Sequence, residues 1–240
     1  MALARIGCAG WSIPKAAGAA FPGEGSHLQR YAAVLNAAEI NSSFYRPHQP
    51  QTYERWAASV PEDFRFAVKA PKRMTHELRL QDCAEAMRQF AAETAGLDAK
   101  LGCVLVQLPP GLQLDAAAAA GFFALAREHF GGMIACEARH PSWFGDEATA
   151  LLQAAQVTRV IADPPKGQPG PHVATTGATY ARLHGSPRVY YSSYEDSFLD
   201  QAAASLAGRV GDGHDAWCIF DNTASGAAAA NAVALLQRLS

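Results

Sequence analysis

The chain has 240 residues, close to the length of one eight-fold βα barrel, and 49% of them are apolar, enough for a barrel interior and an outer helix layer. Twenty Lys and Arg against 22 Asp and Glu leave a net charge of −2, which excludes a whole-molecule electrostatic pull toward nucleic acid or a membrane surface and leaves only a local basic patch. Residues 1–7 have no apolar segment of signal-peptide length, and the longest apolar stretch, Ala116 to Ala126, is too short to span a bilayer. A soluble, cytoplasmic chain with no membrane partner is expected.

In chain order the apolar runs are Ile6 to Trp11, Ala38 to Asn41, Phe64 to Lys69, Val104 to Gln107, Ile134 to Arg139, Val160 to Asp163, Tyr180 to His184 and Trp217 to Asn222. Seven of these eight close on a charged, amide or imidazole side chain, and the first closes on Gly10-Trp11. They recur about every 30 residues, the size of a βα unit. Helical patterns fill the gaps. Leu28, Tyr31, Ala32 and Leu35 share a face, Tyr53 and Trp56 suit a short helix, and Asp82 to Leu97 carries Ala86, Met87, Phe90 and Thr94 on one side behind a capping Asp82. Asp115, Asp146, Ser197 and Ser225 are placed to cap the helices that follow them. Strand–helix alternation with short connections predicts a parallel sheet, here a (β/α)8 TIM barrel forming a single domain over residues 1–240. Two segments break the pattern. Residues 10–26 read as loop, and Pro164-Pro165-Lys166-Gly167-Gln168-Pro169-Gly170-Pro171 replaces the sixth helix with a Pro/Gly-rich loop.

The five cysteines are odd in number and form no C-x-x-C pair. Reduced, buried fillers are expected, not a zinc site. P-loop, dinucleotide-fold and nucleophile-elbow motifs are all missing.

A parallel barrel gathers its strand C-termini on one face, so the polar strand ends converge on one pocket. Glu39, Glu137, Asp163 and Asp221 are the acid/base candidates, with Lys69 and His184 beside them as catalytic groups. The bland alternative is ion pairing with Lys69, Arg139 and Arg182 to neutralise a crowded mouth. Arg139, Arg182, Arg46 and His76 offer planar or imidazole cations for an anionic substrate. Trp11 and Tyr45 supply aromatic surface, and Asn41, Gln107 and Asn222 supply amides for hydroxyls. His76, Glu137, Asp163, His184 and Asp221 are also ligand types for a divalent metal, although no tight spacing supports one.

Gly10-Trp11-Ser12, the segment from Glu39 to Arg46, Phe66-Ala67-Val68-Lys69, Thr75-His76 and Gln107-Leu108-Pro109-Pro110 resemble signature segments of the DUF72 (YecE-like) family. So do the segment from Glu137 to Trp143, Ala162-Asp163, Arg182-Leu183-His184-Gly185 and Phe220-Asp221-Asn222-Thr223. The similarity runs from about Ile6 to Leu239. It implies a (β/α)8 barrel related to the xylose isomerase-like and endonuclease IV-like barrels, and it implies no reaction, because the family is of unknown function. The chain departs from the family after Ser12, where Ile13 to Phe21 replaces an aromatic stretch.

The expected function is an enzyme acting on a small anionic or polyhydroxylated substrate. Glu137 or Glu39 serves as general acid or base, Lys69, Arg139 and Arg182 hold the anion, and His184 moves or orients a proton. Two alternatives stand beside it. One is a metal-dependent phosphodiester hydrolase or nucleic-acid-binding protein, by analogy with the related barrels. The other is a ligand-binding barrel without turnover.

Overall fold

The computed structural model describes residues 3–239. Nine strands make one parallel sheet: β1 Ala4–Ala9, β2 Ala37–Ile40, β3 Arg65–Lys69, β4 Leu101–Gln107, β5 Met133–Glu137, β6 Thr158–Arg159, β7 Ile161–Asp163, β8 Thr179–Leu183 and β9 Ala216–Phe220. β6 and β7 are two halves of one extended segment. Thr158 and Arg159 pair with β5, Val160 donates its N–H to the Cys136 carbonyl (3.0 Å), and Ile161 to Asp163 pair with β8. The switch of neighbour at Val160 brings the two ends of the sheet together. The eight expected strands therefore appear as a nearly closed barrel, as the 30-residue recurrence implies.

Alternation along each strand separates two cores. Ala37, Ala67, Cys103, Leu105, Ala135, Val160, Tyr180, Trp217 and Ile219 cluster inside the barrel. Ile6, Cys8, Ala38, Ile40, Phe66, Val68, Val104, Val106, Ile134, Cys136 and Phe220 face the helices. The interior carries small residues because Tyr180 and Trp217 stack across it, with ring centroids 5.8 Å apart. Gly102 is part of that fit, since a Cβ there would lie 2.6 Å from the Trp217 ring. All five cysteines are buried and free, four of them in the outer core and Cys103 inside.

The outer layer comprises α1 His27–Ala32, α2 Ser42–Tyr45, α3 Pro50–Ala58, α4 Ala84–Thr94, α5 Ala116–His129, α6 Asp146–Ala154, α7 Asp196–Gly211 and α8 Ala227–Arg238. Asp115 caps α5 through the Ala118 N–H (3.0 Å) as expected. The other expected caps shift. Cys83 precedes α4 while Asp82 takes a left-handed conformation, Gly145 precedes α6, Glu195 precedes α7, and Gly226 precedes α8. The supposed loop of residues 10–26 contains a 3-10 turn, Lys15–Ala20. No helix lies between β7 and β8, where the Pro/Gly-rich loop stands in its place. Among the described residues no helix is long and apolar enough to cross a membrane.

Candidate functional site

Alternation also builds the site. The inward register that places Ala37, Ala67, Leu105, Ala135, Tyr180 and Ile219 in the interior continues two residues on to Glu39, Lys69, Gln107, Glu137, Arg182 and Asp221. His184 follows Arg182 by the same step. These side chains form the upper layer of the barrel filling, at the C-terminal mouth.

Arg182 is the hub and is 1% exposed. Its Nε and Nη2 donate to the two oxygens of Glu39 at 3.0 and 2.7 Å. Its Nη1 donates to Glu137 Oε2, and Nη2 also reaches Asp221 Oδ2 at 3.0 Å. Tyr180 adds its hydroxyl to Glu39 Oε2 (2.8 Å). Arg139 donates from Nε and Nη2 to Glu137 Oε1 at 2.9 and 2.7 Å, leaving Nη1 free of hydrogen bonds among the described residues. Burial works to raise the Glu137 carboxyl, but Arg182, His184 and Arg139 hold it well below the usual carboxylate range. Burial likewise works against Asp221 ionising, and Arg182 and His184 overcome it. Burial would deprotonate Arg182, and the surrounding carboxylates keep it firmly charged.

His184 is anchored at Nδ1 by Asp221 Oδ2 (3.0 Å). Its Nε2 lies 3.3 Å from Glu137 Oε1 but off the line of a hydrogen bond, so that buried nitrogen has no hydrogen-bond partner. Burial lowers its pKa, and the two carboxylates outweigh burial to raise it above 6.5. His184 lines a cavity of about 260 Å³ together with Glu137, Arg139, Ala162, Lys166 and Tyr190. Part of the Pro/Gly-rich loop, Pro164 to Lys166, forms one wall.

Lys69 is buried at the end of β3, with its Nζ 4.1 Å from the Phe44 ring centroid. Burial first, and the Arg182 charge second, lower its pKa to about 8 against the pull of Glu39, Glu137 and Asp221. His76 sits edge-on to Phe44 (5.0 Å) and bonds Thr75 Oγ1 through Nδ1 (2.8 Å), with burial and then the Lys69 and Arg139 charges lowering its pKa. Gln107 is buried and donates to the Leu108 carbonyl (3.2 Å), and the buried Asn41 Oδ1 lacks a partner.

Other expected site residues lie elsewhere. Asp163 falls on the opposite register from Val160 and accepts from the Tyr194 hydroxyl at 2.7 Å. Asn222 is off register with Asp221 and bonds Ser192 O and Asn231 Oδ1, both at 2.9 Å, toward α8. Trp11 packs against Trp56 (5.1 Å) and Phe66 (6.1 Å) beneath the helices. Tyr45 and Arg46 stand exposed at the rim of a separate cavity with Lys72 and Arg73. Arg182 spends its donors on three carboxylates, so the expectation that it holds a substrate anion does not agree with its geometry. Tyr180, Phe44 and Lys166 were not among the expected site residues. Tyr180 was accessible by rule, lying two residues before Arg182 on the same strand face. Among the described residues no three His, Cys, Asp or Glu side chains come together as a metal-binding group. The acids converge on a guanidinium that already supplies the positive charge, so the donor set does not fit a divalent metal.

The family model for a protein of unknown function, DUF72, matches residues 5–240. The chain belongs to the DUF72 family. This DUF72 chain is 30% identical over 165 residues to the UPF0759 protein YecE of Escherichia coli K12, covering 66% of the chain but 58% of YecE, less than two thirds of that relative. It is 26% identical over 246 residues to the UPF0759 protein YunF of Bacillus subtilis, covering 88% of the chain and 86% of YunF. Crystal structures agree on the fold. A DUF72 protein of Thermotoga maritima superposes with a TM-score of 0.79 at 25% identity over 99% of both chains. One of Enterococcus faecalis superposes with a TM-score of 0.82 at 21% identity, covering 99% of this chain and 95% of its own. The family's description gives it no function.

Proposed function

We propose that this DUF72 barrel is an enzyme that takes a small anionic substrate into the cavity at the C-terminal mouth and uses His184 as its general acid/base. The observation that carries the reading is the state of that imidazole: one nitrogen fixed by Asp221 at 3.0 Å, the other buried without a hydrogen bond, in a residue lining the cavity. A carboxylate on Nδ1 sets tautomer and orientation, as catalytic histidines require. The raised pKa favours the imidazolium, which donates a proton and then recovers it. Arg139 and Lys166 hold the anionic group, Arg139 through its unused Nη1 edge. Arg182 is a positioning residue that holds Glu137 and Asp221 ionised, and Glu39, itself bonded by Tyr180, orients Arg182. The cavity, at about 260 Å³, suits a substrate of a few heavy atoms plus its charged group.

The test is a melting-temperature titration with inorganic phosphate and a panel of sugar phosphates, beside Arg139→Met and His184→Gln. A saturable rise that Arg139→Met loses and His184→Gln keeps, together with turnover that His184→Gln abolishes, supports the reading. An anion response that is the same in Arg139→Met overturns it.

A second reading, nucleic-acid binding, is favoured by one feature of the rim. Tyr45 (72% exposed), Arg46 and Arg73 on one side, and Arg188 set 4.0 Å over the Tyr191 ring on another, combine aromatic and cationic surface. Steeply salt-dependent binding of single-stranded DNA, lost in Tyr45→Ala/Arg46→Ala, would select it.

A further inference from the structure

Lys69 stands apart from the other inward cations of the mouth. Arg139 and Arg182 are each paired with carboxylates, whereas the Lys69 ammonium makes no ion pair within 4 Å and no hydrogen bond among the described residues. Three carboxylates share its surroundings, yet all three are turned onto Arg182. Lys69 is left against the face of Phe44, a partner that attracts a cation but accepts no classical hydrogen bond. The contact is built locally. Ser43 in α2 donates to both the Ile40 carbonyl (2.9 Å) and the Lys69 carbonyl (2.7 Å), pinning α2 to the end of β3 and bringing Phe44 over Nζ. A lysine kept for structure would gain more by pairing with one of those acids, because a largely desolvated ammonium is costly to leave without an ion pair. Burial and the neighbouring guanidinium leave it with a pKa of about 8.

We infer that Lys69 is a covalent nucleophile that forms an imine with a small aldehyde or ketone bearing an anionic group. The inference rests on the reading of the mouth as a small-anion site and deepens it by naming the substrate class. The neutral Nζ lone pair forms a C–N bond to the carbonyl carbon while the C=O π pair moves onto oxygen. That oxygen takes a proton, and nitrogen loses one, giving a carbinolamine. The carbinolamine hydroxyl then takes a proton from water at the mouth and leaves as water, while nitrogen's lone pair closes the C=N bond. Nothing is oxidised or reduced, and hydrolysis by the reverse route regenerates the amine. The sequence makes Lys69 a catalytic residue.

The test uses the wild-type protein with glyoxylate, a small anionic aldehyde, and cyanoborohydride at pH 7, which reduces any imine to carboxymethyl-lysine. Peptide mapping follows each lysine in time. At that pH a lysine of pKa about 8 is roughly a tenth neutral, against less than a thousandth for an ordinary one. Lys69 is therefore expected to be modified at least about tenfold faster than the exposed Lys15 and Lys72, even allowing for the weaker nucleophilicity of a less basic amine. Excess phosphate should slow Lys69 and leave Lys15 and Lys72 unchanged. Because the comparison is internal, it needs no variant to fold, and Lys69→Arg then serves to remove the labelled peptide. Labelling of Lys69 at or below the rate of the exposed lysines overturns the inference. If phosphate still raises the melting temperature through Arg139 in that case, the small-anion reading survives without it. If phosphate does neither, both fall.

Discussion

Arg182 and Glu39, 143 residues apart in sequence, meet in a fully buried two-point pair, Nε to Oε2 at 3.0 Å and Nη2 to Oε1 at 2.7 Å. The same guanidinium serves Glu137 and Asp221, so one cation ties together three acids from β2, from β5 and from just beyond β9. Removing it leaves the fully buried Glu39 with the Tyr180 hydroxyl and no cation, while Glu137 keeps Arg139 and Asp221 keeps His184. Arg182→Met is expected to destabilise the fold by about 3–5 kcal/mol, measured by urea denaturation, because it breaks a buried pair at one partner only. A loss under about 1 kcal/mol would mean that the acids find other partners or take up protons at little cost.

Lys69 should behave in the opposite sense. Its folded pKa of about 8 lies below the ordinary lysine value, so at pH 7 the folded state holds an ammonium it disfavours. Lys69→Met is expected to stabilise the protein at pH 7 by about 1–3 kcal/mol while abolishing activity. In the range from pH 8 to 10.5 the unfolded wild type binds more protons than the folded form, so wild-type stability rises and the advantage of the variant shrinks. A destabilised Lys69→Met would identify Lys69 as a structural cation.

His184 sets a second pH dependence. Its pKa is raised in the folded state, so its contribution is fully present below pH 6.5 and is lost as pH rises through the folded value. Glu137 and Asp221 are held down, so theirs is present above the ordinary carboxylate range and is lost as pH falls through the folded values. Below pH 8, before Lys69 contributes, stability should fall on both sides of a plateau between about pH 5 and 6.5, and His184→Gln should remove the decline on its alkaline side. Equilibrium denaturation across pH checks both limbs. A wild-type alkaline decline unchanged in His184→Gln would assign it to another group.

Gly102→Ala tests the interior packing. The new methyl would meet the Trp217 ring at 2.6 Å and disturb the Tyr180–Trp217 stack beneath Arg182. A loss of about 1–3 kcal/mol in stability is expected by calorimetry. A change within about 0.5 kcal/mol would show that the interior yields more easily than its geometry implies.

The barrel was legible because strand length and spacing are local signals. The missing sixth helix was legible because proline and glycine forbid it chemically. The site was legible in part, and the difference lies in register. A polar residue at a strand end marks the mouth only if it falls on the inward phase. Glu39, Lys69, Gln107, Glu137, Arg182 and Asp221 do, while Asp163 and Asn222 fall one step off and serve Tyr194 and Asn231. Counting back by twos to an apolar interior residue would have separated them. Pairing was not legible, because which acid meets Arg182 depends on barrel closure and not on neighbours in sequence. Helix caps failed for a smaller reason: several Asp and Ser residues near helix starts fall one or two positions from the cap, at Asp146 and Ser197 for example.

The most direct test of the account is the nitrogen NMR titration of His184 in histidine-labelled protein, assigned with His184→Gln, with and without phosphate. The account predicts an imidazole with Nδ1 protonated toward Asp221, a midpoint above 6.5, and a saturable shift of its Nε2 on adding phosphate. A His184 resonance that titrates at or below 6.5 and ignores phosphate would contradict it.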